Sequence, residues 1–163
     1  RRMSIEDDIA FLERVPTLTL IGREALRVIA ISVERYAVPR GQSLFREGDP
    51  ADCAYVVVNG TFSVTRGDEE AARRPGQAAQ VGSTALLGEM ALLTETKRPA
   101  TATALEDAEV LRIPRMVFLR TLESYPEAAS RLTRELTAQI NATLAELDKV
   151  RRRLEAIDGE PRP

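Results

Sequence analysis

Residues 87–101 read Leu87-Gly88-Glu89-Met90-Ala91-Leu92-Leu93-Thr94-Glu95-Thr96-Lys97-Arg98-Pro99-Ala100-Thr101. Gly88 lets a ligand approach the backbone closely. Glu89 to Leu93 has the length of about one helical turn, whose first N–H groups lack internal partners and attract an anion. Arg98 follows at the head of a predicted strand, where a guanidinium forks onto a phosphate through two charge-assisted bonds. Glu89 is an acceptor beside that cation, suited to a sugar hydroxyl and to orienting Arg98. One anion hole, one fork and one carboxylate describe a phosphate–ribose site. The same residues admit a plainer reading, a packing turn with a Glu89–Arg98 surface salt bridge worth about 0–1 kcal/mol.

Outward from this stretch the pattern is one of short strands with turn punctuation. Tyr36–Val38 meets Pro39-Arg40-Gly41, Ser43–Phe45 meets Glu47-Gly48-Asp49-Pro50, and Tyr55–Val58 meets Asn59-Gly60 before Thr61–Thr65. An Asn-Gly pair between two β-rich runs is a hairpin signal. Arg66–Gly76 reads as a solvated polar loop, and Ala78–Val81, Ala100–Ala104 and Val110–Ile113 as further strands, the last two joined by a turn at Glu106-Asp107. Strands spaced by about 8–12 residues without alternating helices predict an antiparallel barrel or sandwich.

Helices flank the strands. Ser4 is the expected N-cap of a first helix, with Glu6, Asp7 and Asp8 behind it and Ile5, Ile9, Leu12 and Val15 on one face until Pro16 ends it. A second helix is expected over Arg23–Ser32, with Leu26, Ile29 and Ala30 inward. After a short helix from Arg115, Pro126 suits the first turn of a helix continuing to Ile157. Its residues Leu136, Ile140, Thr143, Leu147, Val150, Leu154 and Ile157 step by four and three, a heptad seam with one polar member. A single domain does not cover so long a helix, so the seam implies a homodimer through 126–157. A helix packed only on its own barrel is the alternative.

Composition narrows the chemistry. Histidine is absent and Cys53 is the one cysteine among 163 residues. Disulfides within the chain, Cys/His zinc sites, cysteine-held iron–sulfur clusters, His-ligated haem and His-dependent triads are excluded. No catalytic group, metal site or cofactor is expected, and a metal-dependent hydrolase is disfavoured. The net charge of −2 gives no overall attraction to nucleic acid. No run of about 18 apolar residues exists to span a membrane. The acidic start is unlike a secretory signal, so a cytoplasmic domain is expected. Lys149 and Arg151–Arg153 read as the solvated face of a helix, and Cys53 as an inert thiol in a turn.

Taken together, the motifs resemble the cyclic nucleotide-binding domain family, which includes bacterial catabolite activator proteins, regulatory subunits of cAMP-dependent kinase and cyclic nucleotide-gated channels. The family pattern Gly-Glu-x-Ala-Leu, then Arg, a small residue, Ala and Thr, is matched by Gly88-Glu89-Met90-Ala91-Leu92 and Arg98-Pro99-Ala100-Thr101. Val38-Pro39, Gly41, Leu44-Phe45, Glu47-Gly48-Asp49, Ala51-Asp52, Tyr55-Val56-Val57 and Gly60 match its upstream signature. The resemblance covers about residues 5–154.

The resemblance implies an α+β fold: an antiparallel β-roll, jelly-roll-like, with N-terminal helices and a long C-terminal helix. The chain is then one domain over 1–163, divided into helices at 1–32, the roll at 33–114 with its phosphate cassette at 87–101, and helices at 115–163. It implies a cAMP or cGMP sensor in which Arg98 meets the cyclic phosphate, Glu89 takes the ribose 2′-hydroxyl beside Gly88, and N–H groups near Ala91 and Ala100 add donors. Phe45, Val64, Val81 and Met90 fall near pocket-lining positions, and Thr143 of the long helix near the base. The signal would leave through that helix. Two departures stand out. Pro99 has neither an N–H nor the hydroxyl that the family associates with cGMP. The Gly-Asp turn usual before Gly88 is replaced by Gly82-Ser83-Thr84-Ala85. They motivate an alternative, a degenerate fold serving as a ligand-independent dimerisation module; another phosphorylated ligand is a third reading. DNA-binding relatives place a helix-turn-helix after the long helix, and none follows here, so no nucleic-acid contact is expected of this chain. A sensor fragment of a longer transcription regulator, channel or kinase is the remaining reading.

Overall fold

The computed structural model describes residues 4–67 and 78–158. Three N-terminal helices come first: α1 (Ile5–Glu13), α2 (Pro16–Thr19) and α3 (Arg23–Ser32). Ser4 caps α1 as expected, in a reciprocal box. Its hydroxyl accepts from the Asp7 N–H at 3.1 Å, and the Asp7 carboxylate accepts from the Ser4 N–H at 3.2 Å. Two details of the sequence reading are corrected. Ile5 lies exposed, and Phe11 takes an inward place instead. Pro16 does not merely end α1 but opens α2, because a proline at a first helical position loses no hydrogen bond.

Among the described residues ten strands follow: β1 (Glu34–Val38), β2 (Ser43–Phe45), β3 (Pro50–Ala51), β4 (Cys53–Asn59), β5 (Phe62–Thr65), β6 (Ala78–Val81), β7 (Leu86–Leu87), β8 (Thr96–Lys97), β9 (Thr101–Ala104) and β10 (Ala108–Pro114). One sheet runs β1-β10-β4-β7, a second β2-β9-β5-β6, and β3 pairs with β8 alone. All the pairings are antiparallel. The chain changes sheet between β1 and β2, β4 and β5, β6 and β7, and β9 and β10, which winds it into a roll.

The Asn59-Gly60 signal is where the sequence reading fails. The strands on either side do not pair: β4 lies between β10 and β7, and β5 between β9 and β6. Gly60, at φ +92°, turns the chain from one sheet to the other. A Cβ there would stand 2.8 Å from the Ala108 Cα, so the corner is closed to side chains by the neighbouring strand. Of the polar loop expected at Arg66–Gly76, residues 68–76 lie outside the described residues.

Two apolar cores result. The larger joins the helices to the first sheet through Ile9, Leu12, Leu26, Ile29, Leu111 and Phe118. The smaller fills the roll with Val57, Phe62, Leu87, Ala102, Ala104 and Val110. Two helices close the chain, α4 (Arg115–Ser124) and α5 (Pro126–Asp158). The first turns of α5 pack through Ala128, Leu132 and Leu136. Beyond them Ile140, Leu144, Leu147, Val150 and Leu154 are all half or more exposed, at 50–60%. At 1.5 Å per residue, the 33 residues of α5 span about 50 Å. Among the described residues, no helix is long and apolar enough to cross a membrane.

Candidate functional site

Arg98 is held at its backbone before its side chain does anything. The short ladder of β3 with β8 brings residues 96–97 beside 50–51. Its next step binds Arg98 to the tight turn before β3. The Arg98 N–H donates to the Asp49 carbonyl and the Gly48 N–H to the Arg98 carbonyl, both at 2.8 Å. Glu47-Gly48-Asp49, read as turn punctuation, therefore fixes the site's arginine.

The guanidinium turns inward. Arg98 is 4% exposed, and among the described residues no carboxylate pairs with it, a rare state for a buried cation. Its Cζ lies 4.4 Å from the centroid of the Phe45 ring and 5.6 Å from that of Tyr55. The two rings stack, with centroids 6.1 Å apart. Nη2 donates to the Cys53 sulfur at 3.3 Å. Nη1 is buried and, among the described residues, has no hydrogen-bond partner. It lies against the backbone of Gly88, where any Cβ would collide with it. Gly88 also holds φ +79°, the left-handed region that glycine adopts freely. Both facts require glycine at the start of the turn that the sequence singled out.

That turn is a short 3₁₀ helix over Glu89–Leu92 with Gly88 as its N-cap. Its first internal bond runs from the Ala91 N–H to the Gly88 carbonyl at 3.0 Å. The Ala91 donor expected for a ligand is thus used within the turn, and the donors ahead of it belong to Glu89 and Met90. Arg115, the first residue of α4, clamps the turn from below. Its Nη1 donates to the carbonyls of Ala51 at 3.0 Å, Thr94 at 3.1 Å and Ala91 at 3.4 Å.

The remaining candidates divide. Val64 and Val81, with Phe45, pack against the smaller core of the roll. Ala100 is buried beside Arg98, and Pro99 is exposed between them. Glu89 and Met90 face outward, Met90 at 59% exposure. The Glu89 carboxylate does not orient Arg98, as the sequence suggested. It accepts the Thr17 hydroxyl of α2 at 3.4 Å, across a groove that Ser83 and Thr84 also line. Thr143 is exposed on α5, its hydroxyl donating to the Gln139 carbonyl at 3.0 Å. The sequence reads Cys53 as an inert turn residue. It opens β4 instead, 1% exposed, with its sulfur on the arginine. The signal for it was present: Cys53 and Tyr55 are two apart on a strand and share a face. Burial, reinforced by the neighbouring Cys53, pushes the Tyr55 phenol up to about 12.

The departure at Gly82-Ser83-Thr84-Ala85 keeps a tight turn. The Ala85 N–H donates to the Gly82 carbonyl at 3.0 Å, and the Thr84 N–H to the Val57 carbonyl at 2.8 Å. Thr84 carries φ +74°, costly for a β-branched residue, where the family pattern places a Gly-Asp turn.

The cyclic nucleotide-binding domain profile matches residues 35–125, and the chain belongs to that family. Among solved structures, it resembles a cyclic nucleotide-binding-like protein from Brucella abortus. The two share 40% identity over 72% of this chain and 98% of that one, at TM-score 0.61. It also resembles the N-terminal domain of a transcriptional regulator from Streptomyces coelicolor, at 30% identity over 84% and 94% of the two chains and TM-score 0.74. Lysophospholipase NTE1 of Yarrowia lipolytica is 27% identical over 96% of this chain, which spans only 12% of that protein.

Proposed function

We propose that this domain binds a cyclic nucleotide, cAMP in preference to cGMP, and passes its occupancy to whatever α5 contacts. The observation that carries the reading is Arg98: a buried guanidinium against a glycine backbone, with one nitrogen unpartnered among the described residues. A buried charge without a counter-ion costs several kcal/mol. A cyclic phosphate would supply the missing anion at the position where the family motif has its phosphate-binding arginine. Glu89 would leave Thr17 for the ribose 2′-hydroxyl, and Val64 and Val81 would line the base. Pro99 offers no hydroxyl, which favours cAMP. Thr143 would reach the base only from a helix that had moved against the roll, or from a second copy.

The exposed apolar stripe of α5 favours a homodimer, with the seam Leu136, Ile140, Thr143, Leu147, Val150 and Leu154 as its contact. The relatives include a transcriptional regulator and lysophospholipases, so a regulatory module acting on attached or neighbouring domains is the role that fits. The test is thermal unfolding with cAMP, cGMP and AMP titrated separately. A ligand that binds only the folded state raises Tm with dose. A saturable rise from cAMP, weaker from cGMP and absent from AMP, is expected. No rise from either cyclic nucleotide would leave the ligand-independent dimerisation module, which the same stripe on α5 supports.

A further inference from the structure

We infer that Cys53 sets the charge of the anion seat: it positions the Arg98 guanidinium while leaving its positive charge uncompensated. The inference rests on the reading of Arg98 as the seat of a phosphate. An arginine that must both stay in place and remain attractive to an anion faces a conflict. A carboxylate would hold it best, through a two-bond fork, but would also neutralise it. Among the described residues, the neighbours that hold the guanidinium are a cysteine sulfur and two aromatic rings, with no carboxylate. Nη2 rests on the Cys53 sulfur at 3.3 Å, and the plane lies over Phe45 at 4.4 Å and near Tyr55 at 5.6 Å. Thiol sulfur accepts weakly, and ring faces attract a cation without cancelling it.

A carboxylate is one residue away. Asp52 directly precedes Cys53, yet it is exposed and its Oδ2 accepts from Arg112 at 3.5 Å. Successive side chains of an extended chain point to opposite faces, so Cys53 faces the seat and Asp52 faces solvent. A one-residue slip would bring the acid onto Arg98 and fill the seat from within. Among the described residues, the groups close enough to act on the Cys53 sulfur are Arg98, Arg112, Tyr55 and Tyr36, two cations and two phenols, so a carboxylate built there would pair with a cation.

The experiment compares wild type, Cys53→Ser, Cys53→Asp and the double variant Cys53→Asp with Arg98→Met. Calorimetry gives the dissociation constants for cAMP and cGMP, and thermal unfolding without ligand gives stability. Cys53→Ser, an uncharged acceptor of similar size, should bind about as tightly as wild type. Cys53→Asp should lose at least about 100-fold in affinity, from a competing charge within about 4 Å. It should nevertheless unfold about 3 °C higher or more without ligand, because the buried cation gains a partner. The double variant should lose that gain. A merely structural role would lower affinity and stability together. An Asp variant that binds like wild type, unfolds earlier or fails to fold overturns the assignment. A wild type that binds neither cyclic nucleotide defeats the phosphate reading alone. The ligand-free comparison then decides the charge assignment, upheld by a higher Tm and overturned by an equal or lower one.

Discussion

Replacing Arg98 by methionine should make the ligand-free protein no less stable while removing its response to cyclic nucleotide. The losses on folding are small. Nη2 gives up one bond to a thiol, and the guanidinium gives up two ring contacts at 4.4 and 5.6 Å, together worth about 2–3 kcal/mol when desolvated. Methionine restores part of this, since a thioether on an aromatic ring contributes about 0.3–1.5 kcal/mol. Against these stands the removal of a buried cation with no counter-ion among the described residues, a relief of several kcal/mol. The balance is a stability unchanged or raised by about 1–3 kcal/mol, and a Tm higher by up to about 10 °C. Affinity moves the other way. Losing the charged partner of a desolvated phosphate costs about 2–5 kcal/mol, or roughly 30- to several-thousand-fold. Urea unfolding without ligand and calorimetry with cAMP and cGMP read the two effects separately. An Arg98→Met variant that binds like wild type refutes the phosphate assignment. One that loses more than about 2 kcal/mol without ligand refutes the claim that the cation is uncompensated, because a loss of that size belongs to a packed, satisfied side chain.

Thr84→Gly should stabilise the domain. Left-handed backbone costs an L-residue about 1–2 kcal/mol and glycine's extra chain freedom returns up to about 1, so a Tm rise of about 1–4 °C by scanning calorimetry is expected, and a fall would show that φ +74° carries no strain. Ile140→Lys together with Leu147→Lys should convert a dimer to a monomer by sedimentation, since both lie on the exposed stripe of α5; a monomeric wild type would remove the seam as an interface. Tyr55 carries a pH signature. Burial raises its phenol from about 10 to about 12, so between those values the folded state holds a proton that the unfolded state has lost, and stability falls as pH rises through that window. Tyr55→Phe should flatten this alkaline decline in urea-unfolding titrations, and an unchanged slope would place the pH dependence elsewhere.

The parts of the fold that were legible in the sequence are those governed by local chemistry. Ser4 with Asp7 closes a capping box that any chain would recognise, and Pro126 opens α5 where a missing N–H costs nothing. The seven strands read from apolar runs are present, and their edges moved by only a residue or two. The two-residue strands β3, β7 and β8 were missed because they exist only through their partners. Pro50-Ala51 pairs because Thr96-Lys97 arrives beside it, and neither has enough length to carry a period. Asn59-Gly60 misled for the same reason in reverse. The dipeptide specifies a tight reversal with positive φ, and Gly60 supplies one. Whether the flanking strands then pair depends on competitors elsewhere in the chain, and β10 and β9 hold the positions that a hairpin would have filled.

The candidate site divides along the same line. Gly88 was legible because its place requires a residue type, since any Cβ would meet the Arg98 guanidinium, and the burial of Arg98 is what the structure adds to the motif. Glu89 was legible as a residue but not as a direction, since a carboxylate on a single turn can serve either a ligand or Thr17, and α2 arrives from far earlier in the chain to take it. The same bond gives the turn two competing partners. A ligand that draws Glu89 toward itself would compete with Thr17 of α2 for the carboxylate, while one that pulls on the turn would also load Arg115, which ties Ala91 and Thr94 to the start of α4. The turn therefore meets the N-terminal helices through the Glu89 carboxylate and the start of α4 through carbonyls that Arg115 holds, while Leu92 packs into the core that both helical segments share. On the proposed function, a small displacement at Gly88 would pass to both helical segments, because packed elements joined by such contacts shift between discrete arrangements rather than deform smoothly.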